Sequence, residues 1–209
     1  MSSLILGLLL WSLPGSTEIR LDSPEPCEPS DAQLFHYDDG TPFWLTWSGM
    51  WRGVWFDMDD FGAGGSSLVC DYTEFWFYHH SSPSWDTCLF CAQLWTGSTG
   101  GPETELSETT VVAHHYTACY AVIDPPADAG SSFWVLDVSS FSSGGWPPNL
   151  GDGTPQPSAS HSFHSDDFEL WEPWIIMGEP FANDYLIRAH GLLLDLDAST
   201  WAGIKGLFR

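Results

Sequence analysis

Between Arg52 and Arg188 the chain contains neither lysine nor arginine, while the same interval holds nineteen aspartates and glutamates. Over all 209 residues there are 5 Lys+Arg against 28 Asp+Glu, a formal charge of −23. With no cation in their own segment, these carboxylates must be solvated, hydrogen-bonded to backbone N–H groups or neutralised by a bound cation. Such a field repels phosphate backbones and anionic lipid headgroups, which excludes nucleic acid and anionic membrane surfaces as partners. Helical periodicity is missing as well: no segment before the last twenty residues keeps a 3.6-residue apolar repeat over ten positions. The sequence has no G-x-S-x-G, no H-E-x-x-H and no Walker loop, and nothing else in it reads as an assembled catalytic motif. The expectation is therefore a protein that is not an enzyme.

What the chain does have is rings and β-branched residues, with 43% hydrophobic residues and 13 Trp. The densest stretch is 69–80, Val-Cys-Asp-Tyr-Thr-Glu-Phe-Trp-Phe-Tyr-His-His. With a period of two, Phe75, Phe77 and His79 share one face, and Glu74, Trp76, Tyr78 and His80 share the other. Rings on both faces predict an interior strand, one side on the core and the other under a loop or in a groove. Further strands are expected at 44–47, 53–58, 87–96, 109–123, 133–138, 162–163, 168–176 and 184–189, with loops at 59–67, 97–102 and 139–160. Asp124-Pro125-Pro126 is expected to end its strand, since proline cannot continue a ladder. Short strands punctuated by Gly and Pro predict an all-β, antiparallel, jelly-roll-like β-sandwich with a short appended C-terminal segment.

The expected organisation is a signal peptide at 1–17, a Pro/Glu-rich lead-in at 18–32, the sandwich domain at 33–190 and a tail at 191–209. The apolar run 4–13 followed by Pro14-Gly15-Ser16-Thr17 matches a secretory h-region and cleavage zone, and places the protein outside the cell or on its surface. In that compartment disulfides are permitted, but the five cysteines (27, 70, 88, 91 and 119) leave one unpaired.

Three constellations are candidates for function. Trp85 and Trp146 lie in Pro/Ser/Gly turns, where a core role is least expected. With Trp76, Tyr78 and His80 they form the candidate ligand-binding set, because a sugar ring stacks on an aromatic face while polar neighbours bond its hydroxyls. Trp47, Trp51, Trp55, Trp95, Trp171 and Trp174 are further platform candidates, set against the more usual role of tryptophan in filling a sandwich core. Asp57, Asp59 and Asp60 precede a Gly-rich loop and suit a structural calcium ion, or act as ordinary turn carboxylates. The pairs His79-His80 and His114-His115 with Cys88, Cys91 and Cys119 have the composition of a zinc site. Their mid-strand positions speak against zinc, because adjacent histidines in a strand point to opposite faces.

The order Tyr37-Asp38-Asp39-Gly40-Thr41, Gly53-Val54-Trp55-Phe56, Phe75-Trp76-Phe77-Tyr78, Phe133-Trp134-Val135 and Asp184-Tyr185-Leu186-Ile187-Arg188-Ala189 resembles a group of uncharacterised secreted bacterial proteins. These are similar to jelly-roll-type β-sandwich modules of cell-surface and exported proteins. The resemblance spans about residues 34 to 190 and rests on structural motifs, so it implies fold and export and assigns no site residue. The expected function is a secreted, non-catalytic binding module for a glycan or a cell-surface partner. One alternative is a structural or assembly subunit of an extracellular layer or filament. The other is a glycan-active enzyme, which requires two carboxylates converging in a cleft.

Overall fold

The computed structural model describes residues 32–46, 50–78, 89–138, 149–152, 161–174 and 184–195. Twelve strands are present in this part of the chain: β1 Gln33–Phe35, β2 Pro42–Thr46, β3 Trp51–Asp57, β4 Ser66–Phe75, β5 Leu89–Ser98, β6 Gly101–Val112, β7 Cys119–Gly130, β8 Ser132–Val138, β9 Asn149–Asp152, β10 Ser162–Ser165, β11 Glu172–Pro173 and β12 Ile187–Asp195. A four-stranded sheet has the order β1-β12-β4-β7, a six-stranded sheet the order β11-β10-β3-β8-β5-β6, and β2 pairs with β9 in a small third sheet. All strand pairings are antiparallel. Set aside the small pair and the β10–β11 flap, and eight strands remain. They pair as nested ribs, β5 with β6, β4 with β7, β3 with β8 and β1 with β12, and successive ribs alternate between the two sheets. That nesting is the jelly-roll arrangement of an antiparallel β-sandwich.

The alternation of side chains along each strand builds two interiors. Val54 and Phe56 of β3, Leu94 of β5, Phe133 and Val135 of β8, Phe75 of β4 and Ile187 of β12 fill the space between the sheets. The intervening residues of β8, Trp134 and Leu136, are equally buried but belong to a separate cluster on the outer side of the six-stranded sheet. Arg52 faces inward beside its cross-strand partner Asp137, with Nη2 2.7 Å from Oδ2 and both side chains fully buried. Burial pushes Asp137 up to about 6, and the Arg52 charge opposes that rise.

The expected interior strand at 69–80 corresponds to β4, flanked by β12 and β7, but it ends at Phe75; Phe75 and, past the strand, Phe77 are in the core, and 79–80 lie outside the described residues. Several other expectations need correction. The run 109–123 is not one strand: β6 ends at Val112 and β7 begins at Cys119. The expected loop at 97–102 shrinks to the turn Thr99-Gly100, because β5 and β6 form one long hairpin. Asp124-Pro125-Pro126 does not end β7, since the prolines sit in an irregular stretch of a strand at the sheet edge, where a missing N–H breaks no ladder. In 168–176 only Glu172–Pro173 is extended, and 175–176 lie outside the described residues. β9 arises inside the expected loop 139–160, and β12 continues past residue 190 to Asp195, into the expected tail. The expected signal peptide, Cys27, Cys88 and residues 196–209 lie outside the described residues. Cys70, Cys91 and Cys119 are free thiols, all buried.

Candidate functional site

Two solvent-side surfaces carry the chemistry, one on each sheet. On the four-stranded sheet, register places Tyr120, Glu74 and Arg188 in one row and Val122, Tyr72, His190 and Leu34 in the next. Arg188 grips Asp38 with two bonds, Nε to Oδ2 at 3.0 Å and Nη2 to Oδ1 at 2.7 Å, and donates from Nη1 to Glu74 at 3.0 Å. His190 donates to the other Glu74 oxygen at 2.9 Å and stacks on Tyr72 with ring centroids 4.0 Å apart. Burial raises the Glu74 carboxyl, but the His190 and Trp76 hydrogen bonds and the Arg188 charge outweigh it and hold the group below its ordinary value. Glu74 is thus kept ionised, the opposite of what a general acid needs. Leu34, Val122, Leu192 and Leu194 are exposed on this same sheet.

Of the expected ligand-binding residues, Trp76 and Tyr78 lie just past the end of β4. Trp76 is half-buried: its indole N–H donates to Glu74 and its ring lies 5.8 Å from the Arg188 guanidinium. Tyr78 packs edge-on against His115 and Tyr116, so the two rings are committed to different neighbours. His80, Trp85 and Trp146 lie outside the described residues.

The candidate calcium carboxylates do not converge. Asp57 caps the short 3-10 turn Met58–Phe61, accepting from the Asp59 N–H at 3.0 Å. Asp60 accepts from the Tyr37 hydroxyl at 2.8 Å and from His161 Nε2 at 3.2 Å, and His161 stacks flat on Tyr37 at 3.6 Å. Among the described residues no three His, Cys, Asp or Glu side chains are arranged to hold a metal ion.

The second surface is the outer side of the six-stranded sheet. Trp55, Trp134 and Trp95 are direct cross-strand partners on β3, β8 and β5, so they form one row, about 10 Å across two strand spacings. Each indole N–H is used inside the protein: Trp55 donates to Ser132, Trp134 to the Ser98 carbonyl and Trp95 to Gln93. What Trp55 and Trp95 leave for a ligand is therefore ring surface. The segment between β10 and β11 folds back over the row. Trp171 covers Trp134, centroids 4.9 Å apart, and Phe168 fits among Trp51, Trp95 and Trp171 at 5.5, 5.0 and 5.6 Å. Phe168 holds φ at 67°, a left-handed backbone that costs a non-glycine residue about 1–2 kcal/mol. Ring burial on one side and the Asp167 carboxylate on the other, accepting from the N–H groups of Glu169 and Leu170, offset that cost. The result buries Trp134 completely and leaves Trp55, Trp95 and Trp171 partly buried around it.

Polar groups border this surface on one side. Gln93 lies two residues along β5 from Trp95 and donates to Glu108 at 2.8 Å, while Glu105 is the cross-strand partner of Trp95. Burial pushes the neighbouring Cys91 thiol up to about 12, and the charges of Glu108 and Glu105 add to the rise. Trp55, Trp95 and Trp171 are thus the residues that reading one strand at a time does not bring together, although all three stand out as platform-or-core tryptophans.

A third set of carboxyls is interior. Asp152 and Asp184 are both fully buried; Asp184 accepts from Ser162 Oγ at 3.0 Å, and Asp152 accepts from the Asp184 and Asp39 N–H groups. Burial pushes Asp184 up to about 7 against the Ser162 hydrogen bond, and the nearby Asp152 and Asp38 charges reinforce the rise. Comparison with known protein families, curated proteins and solved structures returns no match.

Proposed function

We propose that the protein is a non-catalytic carbohydrate-binding module whose platform is the outer side of the six-stranded sheet. The observation that carries this reading is the tryptophan row. Three indoles from three strands stand in register and a fourth is laid over the buried middle one; Trp55, Trp95 and Trp171 keep partly exposed rings, and Trp95 stands beside Gln93, Glu105 and Glu108. Half-exposed aromatic faces stack on the apolar faces of pyranose rings, and adjacent amide and carboxylate groups bond their hydroxyls. Electrophoresis through gels containing soluble polysaccharides tests it. At least one polysaccharide should retard the protein, Trp95→Ala should abolish the retardation, and Trp76→Ala should leave it intact. Retardation that survives Trp95→Ala, or none with any polysaccharide, contradicts the reading.

The exposed Leu34, Val122, Leu192 and Leu194 favour a second reading, in which the four-stranded sheet contacts another protein, as in an assembly subunit. Light scattering across a concentration series tests it: a mass that rises with concentration and falls back in Leu192→Ser/Leu194→Ser supports it, and a constant monomer mass contradicts it.

A further inference from the structure

The charge around the tryptophan row narrows the ligand class, an inference that rests on the carbohydrate reading above. From residue 53 to 187 there is no lysine or arginine, so every described residue of β5, β6, β8, β10, β11 and the covering segment lacks a permanent positive charge. The one cation on β3, Arg52, is fully buried on the opposite side of the sheet against Asp137. Arg188 belongs to the other sheet and is held by Asp38 and Glu74. The carboxylates, in contrast, are at the surface: Glu105 and Glu108 on β6 beside Trp95 and Gln93, and Asp166, Asp167 and Glu169 in the covering segment, all exposed, whereas Glu172 stands opposite His164 in the row of Arg52, on the other side of the sheet.

Indole faces with a negative quadrupole, bordered by carboxylates and by no cation, attract organic cations and repel anions. We propose that this surface selects amino sugars carrying a free, protonated amine over N-acetylated, neutral and uronic-acid saccharides. In the bound state the ammonium group lies between the Trp95 ring and the Glu105 and Glu108 carboxylates, while the pyranose ring stacks on indole. Uronate or sulfate groups find no positive partner on this face and are excluded by the same carboxylates.

Titration calorimetry of the intact protein tests the proposal, with matched oligomers of glucosamine, N-acetylglucosamine, glucose and galacturonic acid, below the pKa of the amine. The glucosamine oligomer should bind at least about tenfold more tightly than the N-acetylated one. The galacturonic acid oligomer should not bind. The preference should vanish in Glu105→Gln/Glu108→Gln and persist in the control Asp124→Asn/Asp128→Asn, which removes two exposed carboxylates from the other sheet. Equal affinity for the glucosamine and N-acetylglucosamine oligomers overturns the amine selectivity and leaves the carbohydrate reading standing. Equal loss in both double variants also overturns the selectivity, because the attraction is then the diffuse field of an acidic protein. Failure of every oligomer to bind removes the selectivity and the carbohydrate reading together.

Discussion

The two outer faces of this sandwich are built by different forces. On the four-stranded sheet, the centre of the surface is an ion and hydrogen-bond network, Asp38–Arg188–Glu74–His190, with aliphatic side chains exposed on the same sheet. On the six-stranded sheet the centre is a buried indole, Trp134, enclosed by rings and bordered by carboxylates. The network at the centre of the first face has its charged groups satisfied by one another, so its polarity is structural. The second has the Trp55 and Trp95 N–H groups satisfied internally, so the ring surface that these two leave uncovered remains available. A surface presents to a ligand whatever its internal bonding does not consume, and that criterion separates the two sheets.

Perturbations that break one face and spare the other sharpen the contrast. The largest effects should come from the two centres. Arg188→Leu leaves Asp38 and Glu74 buried without their cation and should cost about 3–5 kcal/mol in a denaturant titration. Trp134→Ala empties a fully buried indole site and should cost a similar amount, about 3–5 kcal/mol. The two should differ in pH response: the cost of Arg188→Leu should shrink at acid pH, where Glu74 protonates, and that of Trp134→Ala should stay constant.

The pH dependence of the wild type has two limbs of opposite sign. Glu74 is held below its ordinary value, so its contribution is present above that value and lost as the pH falls through the depressed one. Asp184 is raised to about 7 from 3.8, so its contribution is complete below 3.8 and lost as the pH rises through about 7. Melting temperatures should fall on both sides of a maximum. Glu74→Gln should flatten the acid limb, and Asp184→Asn the limb between 3.8 and about 7. A smaller effect is expected at the platform itself, where Trp95→Ala should leave stability within about 1–2 kcal/mol and act mainly on binding. The smallest is Leu192→Ser on the other face, within about 0.5 kcal/mol of wild type.

Alternation along a single strand was legible in the sequence wherever one strand sufficed. The period-two pattern at 69–80 identified an interior strand and put Glu74 and Trp76 on a common side, and the lack of helical repeats pointed to an all-β fold. Features that depend on register between distant strands were not legible. Trp55, Trp95 and Trp134 are separated by up to 79 positions, and nothing local says that they oppose one another. The Arg188–Asp38 pair spans 150 positions and is equally silent in the sequence. Phe168 was misread because its ring type fits a strand, whereas burial among Trp51, Trp95 and Trp171 holds it in a left-handed turn. The prolines of β7 were misread because their tolerance depends on the strand lying at a sheet edge, a property of the assembled sheet.

The most direct test of the central claim follows the thirteen tryptophans by their indole N–H resonances in a nitrogen-15 spectrum during titration with a saccharide that the protein retains. The account predicts that the signals of Trp55, Trp95 and Trp171 shift with saccharide concentration and that of Trp76 stays in place. Movement of Trp76 with those three unmoved would place the binding face on the other sheet and contradict the account.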